Sequence, residues 1–405
     1  MLRKINLRIE QSTLWCYEFQ IHNIMEVTTG NIHIKQLFCF HLEDLYSQFF
    51  SRIRPWVIKS IQKLFRCWSD RLGFLHYTCP TCKYSKFVFF TCKSKMCNSC
   101  SKPASDKWIS KLLSRLPLYL NYFHITFTIP DQLRNIFLKY RHKWILKLLF
   151  KAAQQTINEY YQTQKCLPWY FLILHTFGSD TKRNCHIHWV ATSWWITEEK
   201  TRKELDYIHY SALNARWKHN LLNLIQSFLK EHNPDDLYYL NFCINQHSKE
   251  YSRYVRCDKK ITSIYKVINY VWRYLFRPPF SETRIEHYDW DYLSFTYQHK
   301  KPKEIRHAKL WIIEFLCNIM RHLPDKNFIN IHYWWIFANR SKAKHLNNLV
   351  LTVAFSNKAP KLPYIPSSYR QRYMQAFQKD PFLCPCCKLS LQLTDIHFAP
   401  KLNSS

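Results

Sequence analysis

The chain holds three glycines in 405 residues, where an average composition would place roughly 28. Folds built on glycine-rich phosphate loops are therefore disfavoured, and neither GxGxxG nor GxxxxGK[ST] occurs anywhere in the sequence. Hydrophobic residues make up 47%, ample for a packed core. Lys and Arg number 59 against 28 Asp and Glu, a net charge of +31. Charged residues total only 21%, so the imbalance comes more from missing acids than from added bases. It points to a polyanionic partner, nucleic acid before membrane. It also disfavours sites that need several carboxylates, such as a two-metal nuclease or an acidic-triad transposase. Aromatics reach 17% but are spread along the chain, which fits compositional drift better than a dedicated stacking surface.

The opening MLRKINLRIEQ has no apolar signal region, and no run approaches 18 apolar residues. A cytosolic protein is the expectation, and in that compartment 16 cysteines call for metal or burial rather than disulfides.

The spacing predicts helix through residues 1–66, then a cysteine-dense stretch, then mixed elements. Tyr122–Ile129 alternates and reads as a strand ended by Pro130, with Asp131 as an N-cap for an amphipathic helix carrying Leu133, Phe137, Tyr140, Trp144 and Leu148. Residues 169–177 and 186–192 read as a hairpin, 200–232 and 264–276 as helices, 292–297 as a strand, 310–322 as a helix and 328–337 as strand-like.

Chemistry concentrates in three places. Cys79-Pro-Thr-Cys82 and Cys97-Asn-Ser-Cys100 form a CxxC…CxxC array, and two such hooks close a tetrahedral structural zinc site. Cys92, Cys67 and His76 lie close enough to substitute. His186-Ile-His188 places two imidazoles on one strand face, able to grip a divalent ion. Centring the hairpin turn between residues 180 and 181 sets His175 opposite His186, so His175 is the candidate third ligand. Tyr270-Val-Trp-Arg-Tyr274 puts two phenols on one helical face beside Arg273 and Arg277. A phenol at its ordinary pKa of ~10 is a poor nucleophile unless cations or a metal lie beside it. In the last sixty residues Cys384 and Cys387 offer half a metal site, with Cys386 and His397 the nearest additional ligands.

The ordered set of the cysteine array, FHITFTIP, LHTFG, HIH, YVWRY, HLPDKNFINIHYW and CPCC resembles the insertion sequence 91 family of transposases, from about Cys67 to Cys387. The resemblance implies a rolling-circle, two-tyrosine enzyme of the HUH endonuclease class. In it, the histidine pair binds Mg²⁺ or Mn²⁺, and a tyrosine attacks single-stranded DNA to leave a 5′-phosphotyrosine and a free 3′-OH. His186 and His188 match the metal pair, Tyr270 and Tyr274 the nucleophiles, and Cys79, Cys82, Cys97 and Cys100 the N-terminal zinc-binding domain, where Cys92 is a rival. The chain departs from the pattern at Asn184, where many relatives have a further histidine. Lys83, Trp272 and Trp335 stand where the family favours glycine, and a non-glycine residue in left-handed backbone costs ~1–2 kcal/mol.

The expected fold is α+β: a helical, zinc-binding N-terminal domain over residues 1–105, an HUH catalytic domain with a central antiparallel sheet over 106–345, and a basic tail with the CPCC motif over 346–405. The expected activity is metal-dependent cleavage and transfer of single-stranded DNA at transposon ends, with structural zinc and catalytic Mg²⁺ or Mn²⁺, in the cytoplasm at the nucleoid. The alternatives are a non-catalytic zinc-dependent nucleic-acid-binding protein and a decayed, inactive copy.

Overall fold

A computed structural model describes residues 32–113, 121–140, 143–167, 170–178, 180–197, 202–205, 207–246, 255–257, 278–298, 304–334 and 368–399. Three helices come first: α1 (Ile34–Phe40), α2 (Leu42–Phe49) and α3 (Pro55–Phe65). Pro55 occupies the first turn of α3, where its missing N–H costs nothing, and Val57, Ile61, Leu64 and Phe65 line its buried face. A short hairpin follows, β1 (Gly73–Thr78) and β2 (Ser85–Phe89), then helix α4 (Asn98–Leu113). The N-terminal part is thus helical with a β-ribbon inserted.

The middle of the chain contains β3 (Tyr122–Thr128), α5 (Arg134–Lys139), α6 (Lys143–Thr163), β4 (Cys166–Leu167), β5 (Tyr170–Phe177), β6 (Arg183–Thr192), β7 (Trp194–Thr197) and β8 (Arg202–Glu204). Next are α7 (Tyr210–His232), α8 (Pro234–Gln246) and β9 (Val255–Cys257). The amphipathic run after Pro130 is broken: a 3₁₀ turn spans Asp131–Leu133, α5 stops at Lys139, and α6 starts at Lys143. Asp131 does not cap a helix; it pairs with Arg134 at 2.5 Å.

The remaining elements are β10 (Ile285–Tyr288), β11 (Tyr292–Gln298), β12 (Ile305–Trp311), α9 (Ile312–Arg321), β13 (Ile331–Tyr333), α10 (Tyr369–Phe377) and β14 (Gln392–Phe398). β12 pairs antiparallel with β11 from Tyr292↔Trp311 to Gln298↔Ile305. Its basic, mostly exposed sequence hid it, because burial was not there to impose an alternation of apolar residues.

The central sheet is antiparallel throughout, in the order β13-β5-β6-β3-β9. One face is apolar: Phe123, Ile125 and Phe127 of β3, Leu172 and Leu174 of β5, and Ile187 and Trp189 of β6 pack with α5, α6, α7 and α8. Full burial of a side chain such as Ile187 is worth ~2 kcal/mol, and a one-residue slip would exchange it for a histidine. Register is therefore fixed by the core, and the opposite face is free to carry polar groups.

A second core joins α1, α2 and α3 to β11 and α9 through Phe38, Leu45, Ile61, Leu293, Phe295, Phe315 and Leu316. Residues 280–323 thus pack with the N-terminal helices, and a boundary at 105 falls inside α4. The C-terminal segment is likewise no loose tail. β14 pairs with β1 from Gly73↔Phe398 to Thr78↔Gln392, completing a β14-β1-β2 sheet. Among the described residues no helix is long and apolar enough to cross a membrane.

Candidate metal centres

The polar face of the central sheet brings His175, His186 and His188 together. β5 and β6 pair so that His175 lies opposite His186, the register the hairpin arithmetic expects. All three side chains are buried, and one nitrogen from each falls within 4.8 Å of the others. Ring centroids lie 4.1 Å apart for His175–His188, 4.8 Å for His186–His188 and 5.1 Å for His175–His186.

Two outer contacts orient these rings. The His186 Nδ1–H donates to the Asn184 carbonyl at 2.7 Å, which leaves Nε2 as the nitrogen that would ligate an ion. His188 Nδ1 lies 2.8 Å from His124 Nε2 and 3.3 Å from Thr126 Oγ1, so its Nε2 too is the inward atom. Burial, then the charges of His186, His124 and Lys95, hold the His175 imidazole well below its usual range. It is therefore neutral near pH 7, the form that binds metal. Sequence reasoning passed over His124 and Thr126. Their signal was the polar alternation of FHITFT, which marks a site face here and not a solvent face, since Tyr122–Phe127 are all buried.

Beside His175 runs a basic cavity lined by Lys95, Arg183, Arg321, His322 and Arg54. Arg54 is committed to Asp325 at 2.5 Å. Burial pushes the Lys95 ammonium down to about 8, so it keeps its proton at neutral pH. Tyr270, Tyr274, Arg273 and Arg277 lie outside the described residues. The chain leaves the sheet at β9, where Arg256 pairs with Thr126, and resumes at Pro278, with Pro279 lining the cavity beside His175. Both ends of the interval that holds the tyrosines thus reach the histidine face.

The cysteines sort differently from the sequence expectation. Cys79 and Cys82 do not meet Cys97 and Cys100. Cys97 and Cys100 cluster with Cys67 and Cys92, at Sγ separations of 3.7 Å (67–97), 3.4 Å (67–100) and 3.5 Å (92–100). Cys79 and Cys82 cluster with Cys384 and Cys387. The reason is the hairpin: Cys79 and Cys82 form its tip, between β1 and β2, while Cys67 and Cys92 flank its base. Six residues at ~3.3 Å each set tip and base ~20 Å apart, too far for one ion. Four soft thiols within these distances fit a tetrahedral Zn²⁺, whose Zn–S bonds of ~2.3 Å imply S···S near ~3.8 Å. Hydrogen bonds from Cys67, Cys92 and Cys97 pull the Cys100 thiol far below its ordinary range. Among the described residues nine non-glycines have positive φ, and four of these, Trp68, Lys83, Lys93 and Lys388, each directly follow a clustered cysteine. This is where the scarcity of glycine is felt: the turns that aim sulfur inward are made by residues with a Cβ.

Comparison with known proteins agrees. A model described as "Transposase zinc-binding domain" matches residues 37–129, and one described as "Putative transposase" matches 170–344. The chain is 28% identical over 349 residues, 83% of its length and 82% of the relative's, to the transposase for insertion sequence element IS801 of Pseudomonas savastanoi pv. phaseolicola. The chain belongs to the insertion sequence 91 family of transposases. The transposase is also 23% identical over 355 residues, covering 81% of it and 86% of the relative, to y4qJ of Sinorhizobium fredii, which carries the same "Putative transposase" description. No solved structure matches it. A DNA-processing function, with a zinc-binding N-terminal domain, follows from the family.

Proposed function

We propose that this transposase cuts and rejoins single-stranded DNA at transposon ends through a 5′-phosphotyrosine, as an HUH enzyme with Tyr270 and Tyr274 as nucleophiles. The observation that carries the reading is the convergence of His175, His186 and His188 on one buried point of the sheet face. Mg²⁺ or Mn²⁺ bound there would polarise a non-bridging oxygen of the scissile phosphate. His124 and Thr126 hold the His188 ring, and the Asn184 carbonyl holds His186, so the ligands are oriented before DNA arrives. Lys95 and Arg183 present positive charge along the cavity for the phosphate backbone.

In the reaction a tyrosine oxygen, giving up its proton, forms a bond to phosphorus as the bond to the 3′-oxygen breaks. That oxygen takes a proton and leaves as a free hydroxyl. The phosphotyrosine conserves the energy of the phosphodiester, so rejoining needs no ATP, in keeping with the absent phosphate loop. In the N-terminal domain, Cys67, Cys92, Cys97 and Cys100 would hold a structural Zn²⁺. Acting on DNA, the protein works at the cytoplasmic nucleoid. Incubation with labelled single-stranded DNA and Mn²⁺ tests the reading: a covalent protein–DNA band on a denaturing gel supports it. DNA binding without an adduct would favour a non-catalytic binding protein or a decayed copy.

A further inference from the structure

We infer that the transposase carries a second structural zinc site, formed by Cys79, Cys82, Cys384 and Cys387, that clasps the C-terminal segment to the N-terminal hairpin. The inference stands apart from the DNA chemistry proposed above. Its ligands come from opposite ends of the chain. Cys79 Sγ lies 3.3 Å from Cys387 Sγ, Cys82 Sγ 3.3 Å from Cys384 Sγ, and Cys387 Sγ 3.9 Å from Cys82 Sγ. These are far beyond a disulfide bond of ~2.05 Å, and the four sulfurs lie within 4.8 Å of one another.

The two halves are built alike. Each reads Cys-Pro-X-Cys-Lys in sequence, Cys79–Lys83 and Cys384–Lys388. In each the first cysteine's N–H bonds the carbonyl five residues on: Cys79 to Tyr84 and Cys384 to Leu389, both at 2.8 Å. In each the lysine N–H returns to the first cysteine's carbonyl, Lys83 to Cys79 at 3.2 Å and Lys388 to Cys384 at 3.0 Å. The lysines share left-handed backbone, φ 59° and 62°, and each ammonium reaches its proline carbonyl, Pro80 or Pro385.

The backbone amides are aimed at sulfur in the same way. N–H groups of Cys82 and Thr81 face the Cys79 thiol, and that of Tyr84 faces Cys82. Those of Cys387 and Cys386 face Cys384, and that of Leu389 faces Cys387. Two matching loops, each directing three N–H groups at a thiolate pair, form a thiolate cage whose charge a soft divalent cation balances.

The segment itself explains the need. Helix α10 buries no residue, and every residue of β14 is exposed. Of the segment's side chains Pro381, Cys384 and Leu391 are buried, the last two in a cluster with Cys79. Pairing with β1, the Tyr77–Phe382 ring contact and the Lys86 bond to the Pro381 carbonyl hold it at the surface, and an ion between the loops adds the clamp that small modules without a core of their own need.

Cobalt substitution of the full-length protein tests this, because thiolate-to-cobalt charge-transfer absorption reports cysteine sites and the histidines contribute none. Wild type should saturate at two thiolate-bound Co²⁺ per chain. The variant C384S/C387S should lose about half the absorption, whereas C386S, altering the exposed cysteine outside the cluster, should keep all of it. Limited proteolysis of the double variant should release residues beyond about 367. Saturation of wild type at one equivalent, or undiminished absorption in C384S/C387S, would overturn the inference. The wild-type titration decides alone should the double variant fail to fold.

Discussion

His124 Nε2 and His188 Nδ1 lie 2.8 Å apart across the β3–β6 pair, their rings almost parallel at 11°. One ring holds the other, so His124 positions a candidate metal ligand without itself joining the three that converge. Outer contacts of this kind typically set 10–100-fold in metal affinity. His124→Ala should therefore weaken Mn²⁺ binding by about 10- to 100-fold in calorimetric titration. His124→Gln, whose amide can still bond Nδ1, should recover part of the loss. An unchanged affinity in His124→Ala would reduce the contact to packing.

His322 ties the second core to the β5–β6 turn, its Nε2–H donating to the Thr181 carbonyl at 2.8 Å. Burial pushes it down to about 4, with Arg183 and Arg321 acting in the same direction, while the Thr181 bond and Asp180 oppose them. In the unfolded chain it titrates near its ordinary 6.5. The unfolded state thus binds the proton first as pH falls. Stability from neutral His322 is complete above about pH 6.5 and is lost between there and about pH 4, by about 3 kcal/mol. Urea unfolding of His322→Gln should show a shallower fall over that window than wild type. Parallel curves would place the titration elsewhere.

The sequence made the register of the histidine strand readable because HxH and a short hairpin turn leave little freedom: once Ile187 is buried, His186 and His188 must share the other face. It also identified the three CxxC pairs but not their partners, and left Cys67 and Cys92 as mere substitutes. CxxC spacing records local turns, whereas the choice of Cys384 over Cys97 for Cys79 depends on a strand pairing between residues more than 300 positions apart. β12 and the C-terminal β14 went unread for a related reason. Their residues are largely exposed, so no apolar alternation marks them, and the ladder with a distant neighbour is what makes them strands.

Lys95 stands between two cysteines of the first cluster and lines the cavity beside His175. Its ammonium, lowered to about 8 by desolvation, is a poor choice for stability alone. Lys95→Met should leave urea stability equal or higher while weakening single-stranded DNA binding and lowering the salt slope by about one. A variant that loses stability and keeps full DNA affinity would make Lys95 a structural residue.

Cleavage and rejoining of two strands require two attacks, and the interval 258–277, with Tyr270 and Tyr274 inside it, begins after β9 and ends before Pro279 at the histidine cavity. In-line attack on phosphorus depends on positioning and charge neutralisation, so loss of one attacking oxygen should cost ~10²-fold or more. Tyr270→Phe and Tyr274→Phe should each impair strand transfer on that scale, and the double variant should form no covalent adduct with labelled single-stranded DNA. Binding should persist in all three, since only hydroxyls are removed. The gel separates the outcomes: an adduct surviving in the double variant would move the nucleophile to another residue and leave the three histidines without the tyrosine pair proposed for them.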